Sequence, residues 1–214
     1  MRRLFHLVLS PTSRLVRLIL GEKRIACDAV APEDPLAHLP VLRELDGTTV
    51  TGLWAIIDHL ENEHPERPLL PEDAVQRADA LRLFDWTMNN FHEETTKRIV
   101  FEKGAQGQTG SLIRRPPNME TVRLGRQALK ETLPKLGALA ERNGFLAGRD
   151  VTLADLSLAA HLSALDYFGE VPWNEFPAVA EWYMRIKSRP AFRTLLGDRI
   201  PGQPPVSHYA DLDA

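Results

Sequence analysis

The chain has 214 residues, 43% of them apolar, and 26 Lys and Arg against 29 Asp and Glu, for a formal net charge of -3. That length buries a sizeable core and allows one or two domains. The apolar content excludes a disordered chain, and the slightly acidic balance argues against a general nucleic-acid or acidic-membrane binder.

In chain order, "RLFHLVLS" (3–10) alternates as a strand, and 10–23 follows with Leu15, Leu18 and Ile19 at helical spacing. A second strand is predicted over 26–31. A short Pro-rich connection, 31–39, leads to two strands around the Asp46-Gly47 turn and then a helix over 53–63. Pro65, Pro68 and Pro71 mark a linker. Beyond it the pattern is helical: 74–102, 118–142, 152–168, 176–188 and 190–197, with a Pro- and Gly-rich tail from Ile200. The expected organisation is an α/β domain over 1–64, a linker over 65–73, an all-α domain over 74–198 and an extended tail over 199–214. No uncharged apolar run approaches the roughly 18 residues needed to span a bilayer. Met1-Arg2-Arg3 lacks a signal-peptide core, so a cytoplasmic protein without membrane insertion is expected.

The lone cysteine, Cys27, reads as a small buried hydrophobe in a strand. "HEETT" (92–96) lacks the second His of a zinc-protease helix, and His6, His38, His59 and His64 show no ligand spacing, so no metal is expected. Ser10-Pro11 reads as an N-cap followed by Pro at the first helical position. Thr152 and Asp155 have the spacing of a capping box. The tail reads as a polyproline-like spacer, 201–206, carrying Val206, Tyr209 and Leu212 at three-residue intervals. Such an arm is expected to dock on something while contributing little to folding.

A small α/β module joined by a Pro-rich linker to an all-helical domain resembles the glutathione S-transferase fold, whose N-terminal domain is thioredoxin-like. Three stretches carry the resemblance: "SPTSRLVRLIL" at the first helix, Leu39-Pro40-Val41-Leu42, and "FLAGRDVTLADLSLAAHL" (145–162). The resemblance implies a cis bond at Pro40, backbone pairing to glutathione beside Leu39 and Pro40, and a thiol-activating role for Ser10 or Ser13. It also implies a two-fold homodimer, with Phe84, Met88 and Phe91 supplying apolar surface beyond the needs of one core. The sequence departs from the family at Gly52 and Leu53, where an acidic or amide residue and a Ser ordinarily receive the γ-glutamyl carboxylate. The 31–39 connection is also too short for the helix that contacts the glycyl end. Trp54, in the first turn of the same helix, is a candidate to cover the cleft.

"RRPPNM" (114–119), "DYFGEVPW" (166–173) and the 182–213 run resemble more narrowly the FzlA-type members of this family in α-proteobacteria. That resemblance implies FtsZ, and with it other division proteins, as partner. It further implies recruitment to the division site, a role in constriction without glutathione chemistry, and no cofactor. Trp54, His208, Tyr209, Asp211, Leu212 and Asp213 are then the candidate partner-binding residues. The other reading is a glutathione S-transferase acting on small electrophiles, with glutathione as cofactor, Ser10 catalytic, and Leu39, Pro40, Gly52 and Leu53 forming a degenerate glutathione site.

Overall fold

A computed structural model describes residues 1–33, 38–104 and 115–211. β1 (Arg2–Phe5), β2 (Cys27–Val30), β3 (Val41–Arg43) and β4 (Thr49–Thr51) form one sheet in the order β2-β1-β3-β4. β1 pairs with β2 in parallel and with β3 antiparallel, and β3 pairs antiparallel with β4. α1 (Pro11–Glu22) makes the crossover between the parallel strands, and α2 (Leu53–Glu63) follows β4. This is the expected glutathione S-transferase architecture, a thioredoxin-like α/β unit followed by helices. β1 is shorter than the predicted 3–10 strand. The Leu7 amide donates to Ser13 Oγ at 3.2 Å and the Ser10 amide to the Leu7 carbonyl at 3.2 Å, so the chain turns into α1 and leaves the sheet.

The helical half holds α3 (Ala74–Trp86), α4 (Met119–Asn143), α5 (Leu153–Tyr167), α6 (Pro177–Lys187) and the short α7 (Arg193–Leu196). The predicted 74–102 helix divides: α3 is α-helical, and Thr87–Phe101 continues in wider π-helical turns. The Thr87 hydroxyl at the junction donates to the Leu83 carbonyl at 2.9 Å, a side-chain competitor for the backbone ladder. Phe84 and Phe91 are fully buried in the chain's own core. They are therefore not the surplus dimer surface that their spacing suggested.

α5 is the centre of the molecule, with every residue from Leu153 to Tyr167 buried. A helix apolar on all sides is a core helix, and its polar start is satisfied internally. Asp155 accepts from the Thr152 amide (2.9 Å) and hydroxyl (3.0 Å), the Leu146 amide (2.9 Å) and Trp182 Nε1 (2.9 Å). Burial pushes this carboxyl up from its ordinary value, against the pull of those donors.

The two halves are joined by charges removed from water. Arg14, on α1 and fully buried, donates through Nε to the Val8 carbonyl (2.8 Å) and through Nη1 to Ser163 Oγ (2.9 Å) and Tyr209 OH (2.8 Å). Its Nη2 donates to Asp198 (3.1 Å). Arg17, one turn on, also grips Asp198, at 2.9 Å to each oxygen. Arg189 forms a bidentate pair with Glu22 at 2.7 Å, and Lys23 Nζ donates to the His64 and Arg67 carbonyls of the linker at 2.9 Å.

The expectation of an extended, weakly attached tail is corrected. Tyr209 is fully buried and its hydroxyl donates to the Leu195 carbonyl at 3.0 Å while accepting from Arg14. The Val206 amide donates to the Tyr167 carbonyl at 3.1 Å. Val206 packs so closely on Gly169 (φ 67°) that a β-carbon there would lie 2.9 Å from its Cγ1. The arm is thus pinned at Val206 and Tyr209 by Tyr167, Leu195 and Arg14, while Pro201, Gly202, Pro204, Ser207, Ala210 and Asp211 remain exposed.

Two outcomes follow. Tyr209→Ala is expected to cost about 3–5 kcal/mol, and deletion of 201–214 to lower the melting temperature by roughly 10 °C or more, both read by thermal and urea denaturation. Stability is also expected to fall in mild acid. Burial, with Arg17 nearby, lowers the His6 pKa from 6.5 to about 4, and burial beside His92 holds His161 well below its ordinary value. The folded-state pKa is depressed, so the unfolded chain takes up the proton first. The contribution is complete above pH 6.5 and is lost as pH falls from 6.5 toward 4, reaching at most about 2 kcal/mol for His6 at pH 5. Urea midpoints between pH 7 and 5 should fall less in His6→Gln than in the parent chain.

Candidate functional site

The sheet register decides which of the singled-out residues meet. Phe5 lies opposite Val30 and Val41, and Val41 opposite Thr51. The segments leaving or reaching the sheet at that end are therefore the 6–10 loop, the 38–40 approach and 52–54. Ser10, Leu39, Pro40, Gly52, Leu53 and Trp54 share one end of the α/β unit. His208, Tyr209 and Asp211 belong to the arm on the helical half, while Leu212 and Asp213 lie outside the described residues.

The cis-proline edge expected from the sequence is present at this end. The Leu39-Pro40 bond is cis, and the Pro40 carbonyl accepts from the Gly52 amide at 3.0 Å, tying the β3 start to the α2 start. Gly52 has φ 92°, which an L side chain rarely adopts, so the residue that precedes α2 is held to glycine by the backbone itself. The connection between β2 and Pro40 falls partly on 34–37, outside the described residues.

The side chains do not complete the scaffold. α2 begins without a side-chain cap and without an acidic residue in its first turn. Its first amides could face an anion, but Gly52 offers no acceptor and Leu53 no hydroxyl, and the Leu53 side chain packs against the core. Trp54 is 55% exposed and meets buried Phe84 edge-on, with ring centroids 4.7 Å apart, so it spans from α2 to α3 and leaves much of its indole in solvent.

The serines divide. Ser13 is fully buried and accepts from the Leu7 amide, which makes it part of the turn into α1. Ser10 occupies the N-cap position before Pro11, as read from the sequence, yet its side chain makes no capping bond; its hydroxyl lies 2.9 Å from Thr12 Oγ1. It is 9% exposed. Beside this end, His6 is buried and neutral. Cys27 in β2 has its thiol pushed up to about 11 by burial, which leaves it protonated and poorly nucleophilic.

The narrower motifs prove to be fastenings for the arm and for α4. Arg115 forms a bidentate pair with Glu102 (2.8 and 2.9 Å), which also accepts from the Asn118 amide, and Asn118 Oδ1 caps α4. The Arg115 guanidinium holds Glu102 below the ordinary carboxylate range. Tyr167 OH donates to the Gln203 carbonyl (2.8 Å) and accepts from the Ile200 amide (3.0 Å). Glu170 is paired with Lys103 and Arg126. His92 of "HEETT" packs edge-on to Phe101 and His161. Sequence reasoning missed Arg14, Arg17 and Asp198, whose separations exceed any local pattern.

Known proteins share this construction. The family described as "Glutathione S-transferase, N-terminal domain" matches residues 4–68, and "Glutathione S-transferase, C-terminal domain" matches 95–185. FtsZ-localized protein A of Caulobacter vibrioides is 40% identical over 99% of this chain and 98% of its own length. The solved structure of FzlA from C. crescentus superimposes with a TM-score of 0.92 at 39% identity, covering 100% of this chain and 99% of that one. A glutathione S-transferase from Rhodospirillum rubrum F11 gives 0.92 at 40% identity, covering both chains completely. A probable maleylacetoacetate isomerase of Caenorhabditis elegans is more distant, at 27% identity over 78% of this chain and 74% of its own. The chain belongs to the glutathione S-transferase family and resembles FtsZ-localized protein A along its whole length.

Proposed function

We propose that this protein is a non-catalytic regulator of bacterial cell division that binds FtsZ filaments and promotes constriction, with its ancestral glutathione cleft degenerate. The observation that carries the reading is the start of α2. The helix N-terminus and the cis-Pro40 edge are retained, while Gly52 and Leu53 provide no polar side chain for a γ-glutamyl carboxylate. Losing two or three charge-assisted contacts at about 1.5–3 kcal/mol each lowers affinity by several orders of magnitude. The full-length similarity to a protein named for its localisation to FtsZ supports the partner. Trp54 is the residue at this end best suited to a protein contact, being aromatic, half-exposed and already anchored on Phe84.

The protein is proposed to act in the cytoplasm at the division site as a two-fold homodimer. Against a filament, two copies of one weak surface gain from effective concentration. Among the described residues no helix is long and apolar enough to cross a membrane. The second reading, a transferase with a degenerate site, rests on Ser10 at the α1 start and on the intact Pro40 edge.

Co-sedimentation with GTP-assembled FtsZ from the same organism tests the proposal. The chain is expected in the filament pellet, Trp54→Ala is expected to reduce that fraction several-fold with little change in melting, and absence of the parent chain from the pellet defeats the reading. Calorimetry with millimolar glutathione is expected to show no saturable binding. A micromolar Kd, or turnover of an aryl halide that Ser10→Ala abolishes, would establish the transferase instead. Light scattering at micromolar concentration should give twice the mass of one chain.

A further inference from the structure

A cavity of about 440 Å³ opens between the loop after α5, the α6 helix and the Ser207–Ala210 turn of the arm. This volume lies within the range of small-molecule sites, about 300–1,000 Å³. Its walls include Val171, Trp173 and Met184, and Tyr183, Lys187 and His208 bring polar groups to it. Trp173 stacks on Tyr183 with centroids 4.5 Å apart and planes at 15°, and its Nε1 donates to Asp166 Oδ1 at 2.7 Å.

Behind the cavity wall lies a buried polar cluster around Asp166 whose members meet mostly at long range. Asp166 is fully buried and Tyr183 is 1% exposed. Among the described residues, Asp166 Oδ2, the Tyr183 hydroxyl and His208 Nε2 have no hydrogen-bond partner. Burial first, and then the neighbouring Asp166 carboxylate, push the Tyr183 hydroxyl well above its ordinary value. His208 Nε2 lies 3.4 Å from Asp166 Oδ1. Lys187, 3% exposed, makes only long contacts, 3.9 Å to Asp166 Oδ2 and 3.4 Å to the His208 carbonyl. Buried polar groups are as a rule paired, and Phe in place of Tyr183 would serve the core equally well. Packing alone accounts for the aromatic stack and leaves the polar set without a purpose.

We propose that this cavity binds a small uncharged molecule with an aromatic body and a carboxamide-like head that both donates and accepts hydrogen bonds. The flat apolar walls take the body. The head can donate to His208 Nε2 or to the Tyr183 hydroxyl oxygen and accept from Tyr183 or Lys187, all of which line the cavity. A charged head is disfavoured on either sign: an anion would be buried beside Asp166, with Asp211 also acting on the site, and a cation beside Lys187. The site is built wholly from the helical half and the arm, so it stands or falls separately from FtsZ binding.

Benzamide is the probe, with benzoate and benzylamine as charged counterparts, measured on the full chain by ligand-observed NMR and calorimetry. Saturable benzamide binding is expected, weakened roughly tenfold by Tyr183→Phe and abolished by Ala180→Phe, which fills the cavity. Tyr183→Phe keeps the ring and removes only the hydroxyl, so a loss of affinity with the melting temperature kept within a few degrees separates a binding role from a structural one. The proposal is overturned if benzamide does not saturate, if Tyr183→Phe leaves its affinity unaltered, or if benzoate or benzylamine binds more tightly. Should Ala180→Phe not fold, the Tyr183→Phe comparison decides.

Discussion

A guanidinium buried without contact to water, that of Arg14, is the constraint around which the two halves of this molecule are arranged. An unpaired buried charge is among the costliest things a fold can contain, so every element that supplies a partner to Arg14 is held in place by it. Those elements are the loop before α1 through Val8, the core helix α5 through Ser163, the segment after α7 through Asp198, and the arm through Tyr209. Arg17 shares Asp198 from the next turn of α1, the spacing that places two side chains on one helix face. A lysine could not replace Arg14. Its single ammonium lacks the planar fork that reaches four acceptors at once.

The same arrangement explains how a ligand site can decay while the scaffold stays intact. The cis-Pro40 edge, the start of α1 and the start of α2 are fastened by backbone bonds and by packing: the Gly52 amide on Pro40, the Leu7 amide on Ser13, and Leu53 against the core. None of these fastenings requires bound glutathione. Gly52 and Leu53 therefore sit at a firmly fastened end of the sheet without offering a polar side chain. That end presents the first amides of α2 and a half-exposed indole.

The arm connects this junction to the cavity beyond α5. Tyr209 secures it to Arg14 and Leu195, Val206 seats it on Gly169, and the adjacent His208 brings its ring to Asp166. The "DYFGEVPW" stretch thus has a double use. Tyr167, Gly169 and Glu170 hold the arm and its surroundings, while Trp173, bonded to Asp166 behind it, lines the cavity that the arm helps to close. A segment that looks like an appendage in the chain is a wall and a fastening in the fold.

Local pattern was enough for the sheet and helix order and for the Thr152–Asp155 cap, because each depends on neighbours within a few residues, while the cis bond at Pro40 was implied by the family resemblance. It was enough, too, for the departures at Gly52 and Leu53, which are visible as residue identities. It could not disclose that Phe84 and Phe91 face inward, that Ser10 makes no cap bond, or that Tyr209 is a core residue. Two of those outcomes depend on what the chain brings from far away, Trp54 over Phe84 and Arg14 against Tyr209, while Ser10 turns its hydroxyl to Thr12, two residues on. The tail's three-residue spacing singled out Val206 and Tyr209, and the fold packs both against their own chain. That they anchor on their own chain was decided by a buried arginine that needed a hydroxyl, and only the tertiary structure brings the two together.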